Sequence, residues 1–134
     1  MDADGNELGG IRLPDLDAPV GTHAGWNTRH TGIAAPEQIV PMTGSTVYFA
    51  PTPAARCADD RRPAVSERYE STEAYAAIVT VLAEAMVQKR LLVGGDVEAV
   101  VASCVARYAA AVGGEWYPPV LEPGNVTPKA FPRL

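Results

Sequence analysis

An α+β fold is what this sequence predicts, and three observations carry the prediction. Asp2-Ala3-Asp4-Gly5-Asn6-Glu7 is hairpin-turn chemistry, because Asp, Asn and Gly tolerate the positive φ that tight turns require. Residues 43–50, Thr-Gly-Ser-Thr-Val-Tyr-Phe-Ala, are rich in β-branched and aromatic types and are closed by Pro51. Two apolar stripes at helical spacing, over 72–90 and 96–112, are parted by Gly94-Gly95. The expected order is an N-terminal β-hairpin, a layer of loops, and an antiparallel α-hairpin.

Each element has its own signal. After the first turn, residues 8–13 read as a short strand stopped by Pro14. A hairpin needs a strand on both sides, and only Met1 to Ala3 precede this turn, so the chain reads as a fragment of something larger. Residues 14–41 are punctuated by Pro14, Pro19, Pro36 and Pro41, an ordered-loop composition in which Trp26, Ile33, Ile39 and Val40 call for burial. Ala54-Ala55-Arg56 starts a short helix, and Asp59-Asp60-Arg61-Arg62 is a charged loop. Ser66 caps a turn through Tyr69, and Ser71 or Thr72 caps the first long helix. That helix runs on Tyr75, Ile78, Leu82, Ala85 and Met86, with Lys89-Arg90 at its end. Asp96 caps the second, which runs on Val97, Val100, Val101, Cys104, Val105, Tyr108 and Val112 to Gly113 at the C′ position. The connection is short enough to force antiparallel neighbours. Residues 114–134 hold five prolines and read as an extended tail beside the 1–113 unit.

Composition narrows the function. The chain has 134 residues, 47% of them hydrophobic and 20% charged, which describes a globular domain. Its net charge is −5, and no basic run is interleaved with aromatics, so nucleic-acid binding has no support. Aromatics make up only 7% while alanine is abundant, which favours close helix packing against a larger neighbour. The start is acidic and lacks the apolar core of a signal peptide. The longest apolar stretch, 74–87, is too short for a membrane span and contains Glu84, so a soluble chain is expected. Cys57 and Cys104 lie far apart and match no CxxC pattern; two thiols are the better expectation.

The reactive side chains point to no self-contained site. Asp2-x-Asp4-x-Asn6 imitates the start of an EF-hand loop, but that loop needs glycine at its sixth position and glutamate at its twelfth, where Glu7 and Leu13 stand. No Gly-x-Ser-x-Gly elbow occurs, and Gly44-Ser45 lacks the second glycine. His23 and His30 are the two histidines, and ordinary loop hydrogen bonding is the better reading for both. Asp17, His23 and Ser45 form a triad only on paper, since nothing in their spacing supports it. No catalytic, cofactor-binding or metal-ligating residue is therefore assigned.

Read in order, the motifs resemble a family. Asp2-x-Asp4-Gly5-Asn6-Glu7-x-x-Gly10-Ile11-Arg12-Leu13-Pro14 is followed by Thr22 and by Gly25-Trp26-Asn27-x-Arg29. Thr43-Gly44-Ser45 with Phe49-Ala50, Arg62-Pro63, Glu67-Arg68-Tyr69, Tyr75, and Lys89-Arg90-Leu91-Leu92 before Asp96 complete the set. Together they resemble the C-terminal segment of the bacterial "alpha/beta hydrolase domain" proteins, over residues 2 to about 112. The resemblance implies serine-dependent hydrolysis of carboxylic esters or related bonds, with the nucleophile encoded upstream and this chain silent alone. Two partners follow from it: the upstream part of such a domain, or a partner protein docked on the apolar helix faces. The alternative is a small accessory or interaction module. Self-association is expected where those faces stay uncovered.

Overall fold

The structure, a computed structural model, describes residues 1–28, 38–40 and 44–114. Short strands precede two long helices, so the α+β class holds. The chain runs α1 (Pro14–Asp17), β1 (Gly21–Ala24), β2 (Asn27–Thr28), β3 (Ile39–Val40), β4 (Ser45–Tyr48), α2 (Val65–Arg68), α3 (Thr72–Gln88) and α4 (Val97–Val112). One ribbon pairs β1 with β4 antiparallel, Gly21 opposite Tyr48 and His23 opposite Thr46. A second pairs β2 with β3.

The N-terminal turn forms, but the hairpin expected around it does not. Gly5, at φ 81°, donates its N–H to the Asp2 carbonyl, and Asp2 donates its own N–H to the Asn6 carbonyl. The Asp2 carboxylate accepts from the N–H groups of Asp4 and Asn6, an Asx-type closure. Residues 8–13 then make no strand, and Leu8 and Ile11 are each 60% exposed. Arg12 is the reason. Its guanidinium reaches the carbonyls of Glu7 and Leu16 and the carboxylates of Asp2 and Asp17, folding this stretch back on itself. Pro14 does not end a strand; it opens α1, where its missing N–H costs nothing.

The α-hairpin is the body of the fold. α3 and α4 pack on each other, α1 lies across both, and α2 touches α4. Ser71 caps α3 by accepting the Ala74 N–H at 3.1 Å. Asp96 makes no side-chain cap; the chain enters α4 through a 3-10 turn at Gly94–Asp96. The left-handed residue after α4 is Gly114, at φ 69°, one place beyond the glycine expected to take it. The buried stripe of α3 is Tyr75, Val79, Ala83 and Met86, while Ile78 is 41% exposed and Ala85 lies outside the core. Ala83 is fully buried, so the helix turns a small alanine inward and leaves bulkier Ile78 partly outside. From α4 come Cys104, Tyr108 and Ala111, with Val100, Val101 and Val105 half-buried at the margin.

Other expectations need correction. Trp26 is half exposed and Ile39 60% exposed, because both sit by the small β2–β3 ribbon away from the helices. The short helix near Ala54 is a single 3-10 turn, Pro53–Ala55. Ser66 does not cap α2; the Glu67 carboxylate accepts the Ala64 N–H at 2.6 Å instead. Both cysteines are outside any disulfide. Thr43, Arg29, His30, Ile33 and the tail from 115 lie outside the described residues.

α3 ends in a Schellman closure. Arg90 donates to the Val87 carbonyl and Leu91 to the Met86 carbonyl, with Arg90 at φ 60°. A side chain there sits in left-handed backbone that glycine adopts freely. Arg90→Gly should therefore raise stability by about 0.5–1 kcal/mol, read as a higher denaturation midpoint. Val79→Asp, which buries an unpaired charge, should cost on the order of 3 kcal/mol or more. Val101→Asp should cost distinctly less, since that side chain reaches water; urea titration of the two variants separates them.

Candidate functional site

The motif residues converge on the β1–β4 ribbon and brace it from two sides. The Phe49 N–H bonds to the Val20 carbonyl at 2.9 Å, and this sets the phase of the ladder. Gly21 and His23 therefore direct their backbone groups away from β4. Fully buried Asn6 answers both: its amide donates to the Gly21 carbonyl at 3.1 Å, and its oxygen accepts the His23 N–H at 2.7 Å. One side-chain amide thus stands where a third strand would pair. The ribbon leaves no room for a larger residue at 21, where a Cβ would sit 2.9 Å from the Val47 carbonyl oxygen.

Two arginines clamp the ribbon. Arg62 donates to the Thr22 hydroxyl at 2.8 Å and to the Val47 carbonyl at 3.1 Å, while both Asp60 carboxylate oxygens hold its guanidinium. Arg68 makes a two-pronged pair with Asp4. Both guanidinium groups lie over buried Phe49, 5.1 Å from the ring centre for Arg62 and 4.1 Å for Arg68. The Thr22 hydroxyl also donates to the Asp4 carbonyl. Turn, strand, loop and α2 are locked by these few contacts.

Tyrosines tie the helices to the turn before β1. Tyr75 donates its hydroxyl to the Ala18 carbonyl at 3.1 Å, and Tyr69 to the Pro19 carbonyl at 3.0 Å. Burial pushes both phenols up, Tyr69 to about 12, so each keeps the proton it donates. Tyr75 stacks on Tyr108 with ring centres 4.6 Å apart, and Tyr69 meets both edge-on.

No reacting constellation forms from the side chains weighed as a triad. Asp17 is paired with Arg12, Ser45 donates its hydroxyl to the Trp26 carbonyl at 2.9 Å, and His23 Nδ1 lies 3.0 Å from the Thr46 hydroxyl. The EF-hand-like residues are spent inside the fold: Asp2 on its own turn and Arg12, Asp4 on Arg68, Asn6 on β1. Burial holds His23 below the usual histidine range and favours the neutral ring; Asp15 works against the shift and Arg107 with it. Among the described residues no group of three His, Cys, Asp or Glu side chains could hold a metal ion. No helix among them is long and apolar enough to cross a membrane.

A family model described as "Alpha/beta hydrolase domain" matches residues 1–102, about three quarters of the chain. The chain belongs to the alpha/beta hydrolase domain family. No curated protein and no solved structure matches it. The family's span takes in the whole brace, from the turn at Asp2 through α3 and into α4. What sequence reasoning missed in this alpha/beta hydrolase domain chain was the pairing. Asp4 finds Arg68, and Thr22 finds Arg62, across 64 and 40 positions, and no local period encodes such distances.

The Asp4–Arg68 pair is well shielded, with side chains 14% and 17% exposed. Arg68→Ala should cost about 1.5–3 kcal/mol, the range of hydrogen bonds to charged groups. Arg68→Lys should recover little of it, since an ammonium reproduces neither the two-pronged contact nor the stacking on Phe49. A double-mutant cycle with Asp4→Asn, followed by chemical denaturation, should return a coupling of at least about 1 kcal/mol.

Proposed function

We propose that this chain is a scaffold portion of an alpha/beta hydrolase domain, corresponding to its C-terminal part, and that it contributes structure instead of the nucleophile. The observation that carries this reading is the use made of the motif residues. Asp2, Asp4, Asn6, Thr22, Arg62, Arg68, Tyr69 and Tyr75 are each engaged in contacts inside the fold, which close the N-terminal turn or hold the ribbon to its surroundings. A residue committed to a buried, two-pronged contact is poorly placed to meet a substrate. The hydrolysis implied by membership, attack of an activated serine on a carboxylic ester or related bond, needs a nucleophile with a base in hydrogen-bond reach. Ser45 faces a backbone carbonyl, and Ser71 is engaged as a helix cap.

The rest of such a domain is the partner we propose, and the outer face of α3 is the surface that suits it. Ala74, Ile78, Val81 and Ala85 recur at spacings of four and three along one side, with Val81 65% exposed. That is the seam of a helix that packs on another element. A docking module for a separate protein is the second reading, and the same stripe supports it.

Purified protein should show no saturable turnover of short-chain aryl esters and no mass adduct after treatment with a fluorophosphonate. Saturable hydrolysis abolished by Ser45→Ala, or a stoichiometric phosphonate adduct, would overturn the scaffold reading.

A further inference from the structure

Among the described residues, the Nε2 atom of His23 is the one buried side-chain polar atom that the brace leaves unanswered. Its Nδ1 meets the Thr46 hydroxyl, while Nε2 is sealed from water and finds no hydrogen-bond partner among the described residues. The ring sits on β1 and feels both charges of the ion pair by which Asp15 of α1 holds Arg107 of α4. β1 and β4 pair at this ring, α1 and α4 touch each other, and Ala18 just after α1, Tyr48 of β4, and Cys104 and Tyr108 of α4 share one buried core.

We propose that His23 is an acid-operated latch: taking up one proton from solvent weakens the joint that seats α1 and α4 on the β1–β4 ribbon. A neutral imidazole has one N–H and one bare nitrogen, and either tautomer satisfies Thr46. The imidazolium has two N–H donors, and the one at Nε2 has no acceptor. It also adds a positive charge that acts on both Asp15 and Arg107, whose ion pair ties α1 to α4. The neighbouring ionisable groups do not relieve this. Burial pushes both Tyr48 on β4 and Cys104 on α4 upward, so both stay neutral as the pH falls. Asn6 and Thr46 carry no charge.

The sign follows from linkage. Burial, then the Arg107 charge, holds the folded imidazole below the unfolded value of about 6.5, with Asp15 offsetting part of the shift. The unfolded chain therefore takes the proton first as the pH falls. Stability is full above about 6.5 and declines below it, until the folded ring titrates in turn. Carboxylates unload only near pH 4, so the window belongs to histidine.

Thermal melts of the full chain between pH 7.5 and 5.0 test the latch. The midpoint should fall by about 4 °C or more, and His23→Gln should flatten that slope, whereas His30→Gln should leave it in place. Arg107→Gln should make it shallower, because it removes a charge that opposes the imidazolium. Parallel slopes in wild type and His23→Gln, or a slope that disappears with His30→Gln, overturn the proposal. Should His23→Gln not fold, nuclear magnetic resonance titration of the His23 ring in the wild type decides. A midpoint below 6.5 supports the latch, and one at or above 6.5 overturns it.

Discussion

The side-chain amide of Asn6 is the contact on which this fold depends. A two-stranded ribbon is marginal in water, and among the described residues β1 has a single strand partner, β4. Its outer edge would present the Gly21 carbonyl and the His23 N–H without a ladder. Asn6 supplies one donor and one acceptor at the spacing of a neighbouring strand, and it is fully buried in doing so. Burying an amide is costly unless both of its ends are satisfied, and here both are. The left-handed Gly5 beside it sets the entry of the turn, and a Cβ there would lie 3.2 Å from Thr22.

From that contact outward, polar groups supply geometry that apolar bulk does not. Much of the hydrophobic content is alanine and valine, and Ala83 on α3 and Ala111 on α4 are buried. Small side chains bury little area, so they hold the helices close without specifying where the strands sit. Three clustered tyrosines and two arginines over one phenylalanine do specify it. Such contacts are directional, and a hydrogen-bonded tyrosine fixes both distance and angle. The same logic bears on function. The proposed scaffold role rests on it, since motif residues such as Arg62 and Arg68 are engaged in contacts that set shape.

His23 is the exception that gives the scaffold a response. Every other buried polar side chain described here meets a partner, and this one meets a partner at a single nitrogen. It joins β1 to Thr46 of β4 and feels the charges of the ion pair that joins α1 to α4. A group of that kind couples solvent acidity to packing without any ligand.

The amino-acid sequence by itself determined the local structure. Helical spacing, the Ser71 cap and the Gly94-Gly95 break place α3 and α4 nearly to the residue, because those signals act within one turn of chain. β4 was legible for the same reason, from β-branched residues ended by proline. The strand expected over residues 8–13 was decided otherwise. Arg12 found four oxygens within ten residues of itself in the folded loop, and these contacts outweighed the apolar pattern. Which helix face is buried was also a tertiary outcome, since Ile78 and Val79 are alike in hydrophobicity and only the approach of α4 selects between them. The brace itself was invisible, although each of its residues stood in a recognisable motif. Asp4 and Arg68 are ordinary surface residues until folding brings them together in a place where water is scarce. Pairings across dozens of residues leave no period in one sequence; they are set by loop paths and mutual burial, which exist only once the chain is packed.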